Sequence, residues 1–147
     1  MQLKTKYFSD MNVNDEDIIL FKHGLFGFED FKKFILIKFE NNDSSPLCLQ
    51  SVDDENVAFV IINPTNFIPD YSISLEKSDY KELKLEDLNK LAVYTICVLK
   101  DNIPESTTNL RCPIILNAEA KLAKQIVLDN AEYPFKYTFE ELMNKEG

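Results

Sequence analysis

LCLQSVDDENVAFVIINPTNFIPDY, residues 47–71, carries the clearest β signal in the chain. It holds two short runs rich in apolar, β-branched and aromatic residues, Leu47 to Ser51 and Val57 to Ile62, separated by Asp53-Asp54. Runs of that length bounded by turn-forming residues read as strands, and two in succession read as a hairpin. The pattern stops at Asn63-Pro64, because proline cannot donate to a strand ladder and restricts the residue before it.

On either side of this stretch the same alternation of run and turn repeats. Met1 to Phe8, Ile18 to Phe21, Phe34 to Phe39, Leu91 to Leu99, Cys112 to Leu116 and Gln125 to Leu128 are strand-like segments. Between the runs fall Gly24 and Gly27, Asn41-Asn42-Asp43, Pro69-Asp70 and Ile103-Pro104, all turn chemistry. Helix formers gather from Glu76 to Leu88, with Tyr80 and Leu83 three residues apart, and again after Thr138, whose capping-box partner is Glu141. Many short strands and one or two short peripheral helices predict a mainly β fold: an antiparallel small pseudo-barrel or sandwich, one domain over residues 1–147. Closure would remove exposed sheet edges. The expected core includes Phe59, Ile61, Val93, Thr95, Cys97, Ile115 and Val127.

Composition narrows the function classes. A chain of 147 residues fits one compact domain. No apolar run approaches the roughly 20 residues that span a bilayer, so no membrane association is expected. The N-terminus, Met-Gln-Leu-Lys-Thr-Lys-Tyr-Phe, lacks the apolar middle of a secretory signal, and a cytoplasmic location is expected. The 25 acidic residues against 16 basic ones give a net charge of −9, a field that repels phosphate backbones and disfavours direct nucleic-acid binding. The same charge serves solubility or a partner-directed role. Cys48, Cys97 and Cys112 are odd in number, sit in apolar segments and have no Cys or His at metal-ligand spacing, so they read as reduced, buried thiols, with a redox switch as the alternative.

Few residues suit catalysis. His23 is the only histidine, which rules out a two-His metal site, and it stands in the turn FKHGLFGFEDF, residues 21–31, where a solvated role is expected. Gly24 and Gly27 lack the spacing of phosphate-binding loops. They suit positive φ at a tight bend, leaving Leu25, Phe26 and Phe28 to cover a barrel mouth or a partner, with Phe26 exposed. Asp53 and Asp54 could form an acid/base pair or a metal-ligand set, but adjacent residues in a turn point apart and an Asx-turn role fits better. No catalytic residue, cofactor or metal is expected, and the chain reads as a binding protein and not an enzyme.

In NPTNFIPDY, residues 63–71, two prolines hold Phe67 and Ile68 in a rigid loop. Such a loop suits protein binding, because little conformational entropy is left to lose; the alternative folds it back onto the core through Phe67 and Tyr71. The candidate partner-binding residues are therefore Phe26, Asp53, Asp54, Glu55, Phe67, Ile68, Pro69 and Asp70. Read from the residues alone, this is an acidic β-rich binding module. Its rivals are a small enzyme using Asp53, Asp54 or His23, and a ligand-binding barrel whose aromatic side chains line a pocket.

Several linked motifs resemble the flagellar assembly factor FliW family over nearly the whole chain. LQSVDDENVAF at 49–59 is similar to the family's Leu-Gln-Ser-x-Asp-Asp segment ending in Ala-Phe. NPTNFIPDY at 63–71 resembles its Asn-Pro, Phe and Pro-Asp-Tyr pattern, TTNLRCPIILN at 107–117 its Thr-x-Asn-Leu, Pro-Ile and terminal Asn pattern, and KQIVL at 124–128 the strand that follows. The chain departs from the family in the 21–28 turn, carrying Lys22 and Phe26 where members often place prolines. The resemblance implies a β-rich pseudo-barrel that binds the RNA-binding translational regulator CsrA and, in competition, cytosolic flagellin. Flagellin would occupy the protein until exported, after which the freed protein would sequester CsrA. The acidic face, with Asp53, Asp54 and Glu55 contributing, would then lie close to the basic RNA path of CsrA and repel RNA.

Overall fold

In the computed structural model, which describes residues 1–42, 44–87, 90–130 and 132–146, alternating apolar segments form strands wherever turn residues bound them. They are β1 (Gln2–Leu3), β2 (Met11–Asn12), β3 (Ile19–Phe21), β4 (Lys33–Lys38), β5 (Leu47–Ser51) and β6 (Ala58–Ile62). Then follow helix α1 (Lys77–Glu82), strands β7 (Leu91–Val98), β8 (Thr107–Thr108), β9 (Ile114–Asn117), β10 (Leu122–Gln125) and β11 (Tyr137–Thr138), and helix α2 (Phe139–Glu146). Asp43 and Leu88, named in the turn and helix expectations, lie outside the described residues.

The hairpin read from residues 47–62 is present, with Leu47 opposite Ile61 and Leu49 opposite Phe59. Ladders run in the order β7-β6-β5-β4-β3-β10-β9, and β9 pairs back onto β7, closing a seven-stranded barrel. Closure depends on the length of β7. One edge pairs with β6, while the other gives Leu91–Tyr94 to β9 and Cys97–Val98 to β8. The neighbouring pairs round the barrel are antiparallel except at one seam, where β3 and β10 are parallel, with Leu122 opposite Leu20. Seven strands, an odd number, cannot alternate in direction all the way round a closed barrel, so one neighbouring pair must run parallel.

Side-chain alternation then sorts two cores. Phe21, Phe34, Leu49, Ile61, Ile114, Leu116 and Ala123 face inward, with Phe59 and Tyr94 packed against them, and Phe21 meets Phe34 edge to face at 5.2 Å. Val60, Ile62, Cys97 and Ile115 face outward and are covered by Ile68, Tyr71, Leu83, Leu85, Tyr137 and Leu142. A smaller outer cluster joins Leu3 and Val13 of the β1–β2 hairpin to Ile35 of β4. Both faces of the central strands are thus buried, which is why their sequences are apolar at successive positions and not at alternate ones.

The expected core residues divide accordingly. Ile61, Thr95, Cys97 and Ile115 are buried and Phe59 and Val93 half-buried, but Val127 is 57% exposed. Ile126 and Leu128 on either side of it are buried, so Val127 takes the outward phase of the strand. The expected strand at Gln125 to Leu128 is displaced to Leu122–Gln125, and the one at Met1 to Phe8 shrinks to Gln2–Leu3.

Both helices start as the sequence predicts. The Thr138 Oγ1 accepts from the Glu141 N–H at 3.1 Å while Glu141 Oε1 accepts from the Thr138 N–H at 3.3 Å, the reciprocal bonds of a capping box. At α1 the Glu76 N–H donates to Asp79 Oδ2 at 2.9 Å, and the buried Asn117 amide donates to Leu83 O at 2.8 Å, fixing the helix end on β9.

Candidate functional site

Strand direction places the two candidate turns together. β4 begins and β5 ends at one end of the barrel, where Phe34 faces Ser51 and the Val52 N–H donates to Lys33 O at 3.0 Å. The 22–32 and 52–57 turns therefore share this end. In the first, Gly24 and Gly27 have φ of 68° and 84°, and Leu25 drops into the barrel while Phe28 packs edge to face on Phe59 at 5.0 Å. Phe26 is left 52% exposed, as the sequence predicts. Its N–H donates to Gln125 Oε1 at 2.9 Å, and the Gln125 amide donates to Cys112 O at 3.1 Å, so the turn is moored to β10.

The acidic turn is built from buried polar side chains. Ser51 Oγ accepts from the N–H groups of Asp53 and Asp54 at 3.1 and 3.2 Å. Gln50, with no exposed surface, donates to Ser51 O at 3.1 Å and Glu55 O at 3.3 Å and accepts from the Lys6 N–H at 3.0 Å. Asp54 Oδ1 accepts from the Asn56 N–H at 2.9 Å, the Asx-turn expected of it. Asp53 and Glu55 are exposed, so the turn presents carboxylates to solvent on a rigid frame.

The 63–71 loop is elsewhere. It leaves β6 at the opposite end of the barrel, where Asn63 Oδ1 accepts from the Thr65 N–H at 3.0 Å and Pro64–Asn66 form a single helical turn. The expectation that Ile68 is offered to a partner is corrected: Ile68 is 4% exposed in the outer core, and Phe67 is half-buried against the same cluster. The proline-bounded loop cannot form a strand, yet β6 and β7 expose an apolar outer face that its side chains cover. Tyr71 completes the anchor, its hydroxyl donating to Leu110 O at 2.7 Å and its ring lying 4.6 Å from that of Tyr133. Pro69 and Asp70 remain exposed.

His23 is exposed, as expected, but has a partner that sequence reading missed. Its Nε2 lies 3.4 Å from Glu82 Oε2, which also receives Lys124 Nζ at 3.0 Å. These groups are about 60 and 100 residues from His23 along the chain, and no local pattern announces them. The three cysteines are buried free thiols, and burial pushes those of Cys48 and Cys97 up to about 11, so both are protonated and unreactive at neutral pH.

The enclosed space inside the barrel is too small for a ligand, while an open recess of about 430 Å³ lies where Ile19, Leu36, Tyr94 and Leu116 meet Met11 and Lys38. The space bounded by Phe21, Leu49, Ile61, Tyr94 and Ile114 is about 10 Å³, enough for one water at most. The largest recess described is outside: a groove of about 600 Å³ between Ser72–Glu76 and Lys124–Asn130, with Phe26 at its rim. Among the described residues there is no group of three His, Cys, Asp or Glu that could hold a metal ion, and no helix is long and apolar enough to cross a membrane.

Comparison with known proteins adds a second line. The FliW protein family model matches residues 2–139. The flagellar assembly factor FliW of Thermoanaerobacter pseudethanolicus is 40% identical over 145 residues, covering 98% of this chain and 97% of its own. That of Clostridium tetani is 37% identical over 145 residues, covering 99% of each. A crystal structure of the flagellar assembly factor FliW superimposes with a TM-score of 0.87 at 32% identity, covering 94% of this chain and 96% of that one.

Proposed function

Since the chain belongs to the FliW family of flagellar assembly factors, we propose that it is a cytoplasmic protein-binding regulator that sequesters the translational regulator CsrA and is itself titrated by flagellin. The observation that carries this reading is family membership along the whole chain, held with a fold whose interior is filled. An enclosed space of only about 10 Å³ inside the barrel fits a protein that meets partners at its outer surface. The protein then works by occupancy alone: no cofactor, metal or bond-making step is invoked. While flagellin is abundant it holds the protein and leaves CsrA free to repress; export of flagellin releases the protein to capture CsrA.

Charge gives the capture a physical consequence. The net charge of −9 and the solvated carboxylates of Asp53 and Glu55 oppose the phosphates for which CsrA is basic. At 0.1 M salt the effect reaches only about 10 Å, so it operates where the acidic turn lies beside the RNA path.

The test is affinity capture of the tagged protein from cells making flagella, followed by titration with purified partners. CsrA and flagellin should both be recovered, and added flagellin should drive CsrA off. Recovery of neither, or simultaneous saturation by both, would overturn the proposal.

A further inference from the structure

The groove between Ser72–Glu76 and Lys124–Asn130 has one wall made of unpaired strand edge. Past Ala123, β10 keeps its ladder on one side only: the Ile126 N–H donates to Pro113 O at 3.0 Å and the Leu128 N–H to Arg111 O at 2.8 Å. On the other side β3 ends at Phe21, opposite Ala123, and the chain turns away. Alternation along an extended chain points the N–H and C=O of Val127 to that vacated side. Among the described residues neither group has a hydrogen-bond partner, and nor do the backbone groups of Ile73 and Ser74 on the facing wall. Globular proteins cover or charge such edges, and here apolar surface lies beside it instead: Phe26 is 52% and Val127 57% exposed.

The charges that line the groove select the occupant's sign. Lys124 is neutralised by Asp79 at 2.8 Å and Glu82 at 3.0 Å. Glu76 and Asp129, both exposed, face no cation among the described residues. The groove is thus apolar at its rim, hydrogen-bonding along its wall and negative at its flanks.

We infer that this groove binds an extended segment of a partner protein, with apolar and basic residues alternating, which adds as a strand to the free edge at Val127. Main-chain bonds to Val127 supply part of the binding, an apolar side chain packs on Phe26 and Val127, and basic side chains reach Glu76 and Asp129. A second copy of this chain fits less well, because two chains of net charge −9 repel. The inference rests on the reading of the protein as a protein-binding module and adds where one partner segment lies.

The probe is a fluorescein-labelled octapeptide of alternating valine and lysine, titrated by anisotropy, beside a valine–glutamate peptide and a valine–lysine peptide N-methylated at alternate residues. The valine–lysine peptide should bind, and both controls should bind about tenfold or more weakly. Val127→Pro removes the groove-facing donor and leaves the Ile126 and Leu128 bonds in place, so it should weaken the peptide by a similar factor; Phe26→Ala should weaken it less. The N-methylated peptide keeps the test valid if Val127→Pro does not fold. Failure of the valine–lysine peptide to bind, equal binding of either control, or a concentration-dependent dimer blocked by Val127→Pro would overturn the inference. Absence of CsrA and flagellin from the capture experiment would sink the proposed function and leave this titration unchanged, so the two fail separately.

Discussion

Lys124 Nζ lies 2.8 Å from Asp79 Oδ1, with the two side chains 18% and 10% exposed. The same ammonium reaches Glu82 Oε2 at 3.0 Å, so one lysine of β10 clamps both ends of α1 against the barrel. Burial alone would push the Asp79 carboxyl up, but the Lys124 ammonium and the Glu76 N–H outweigh it and hold it below the usual carboxylate value. Burial likewise pulls Lys124 down, and its two carboxylates more than reverse that.

A pH dependence follows. A depressed carboxylate stabilises the fold above its unfolded value and loses that contribution as pH falls through the folded one; a raised lysine contributes below its unfolded value and loses it as pH rises. Across neutral pH both contributions are present. Lys124→Met leaves the Asp79 carboxylate buried and unpaired, and should cost about 2 kcal/mol at pH 7 in urea denaturation. The gap from the unsubstituted protein should narrow below about pH 4, as Asp79 takes up a proton. An equal gap at pH 3 and pH 7 would show that packing of the lysine stem, and not the ion pair, is responsible.

The two turn glycines should respond differently to alanine. A Cβ on Gly24 would stand 2.6 Å from the Glu29 Cα, which is backbone and cannot swing aside, and its φ is already +68°. At Gly27 nothing lies within 4 Å, so only the φ of +84° opposes substitution. Gly27→Ala should cost about 1 kcal/mol and Gly24→Ala about 3 kcal/mol or more, read from thermal melting. Equal losses would mean that the turn relaxes around the new methyl.

Phe26 and Phe67 separate surface from core. Phe26→Ala should leave stability within about 0.5 kcal/mol and weaken partner capture. Phe67→Ala should lower stability by about 1–2 kcal/mol, because the ring packs on the outer core, and leave capture near normal once the folded fraction is accounted for. Capture that survives Phe26→Ala but fails with folded Phe67→Ala would move the interface to the 63–71 loop.

Neutralising the acidic turn tests the electrostatic part. In the triple variant Asp53→Asn, Asp54→Asn and Glu55→Gln, residue 54 keeps an oxygen to accept from the Asn56 N–H, so the turn is retained. Displacement of RNA from CsrA should become weaker and its salt dependence shallower. Unchanged displacement with an unchanged slope would mean that RNA is excluded by bulk or by a change in CsrA's shape.

Residue order carried the local features. The strands from Ile18 to Ile62 and the long β7 were legible because β-branched runs end at glycine, proline, asparagine and aspartate, and the Thr138–Glu141 box is written within four residues. So were the exposure of Phe26 beside two glycines and the Asx turn at Asp54. Tertiary structure alone decided the rest, because burial depends on what arrives from elsewhere. Ile68 is buried since β6 and β7 offer an outer apolar face, and Val127 is exposed since its neighbours take the inward phase. The parallel seam of β3 on β10, the Lys124–Asp79 clamp and the groove joining Phe26, Ser72–Glu76 and Val127 unite residues 45 to 102 positions apart. No periodicity within a window carries that information: it exists only once the barrel closes.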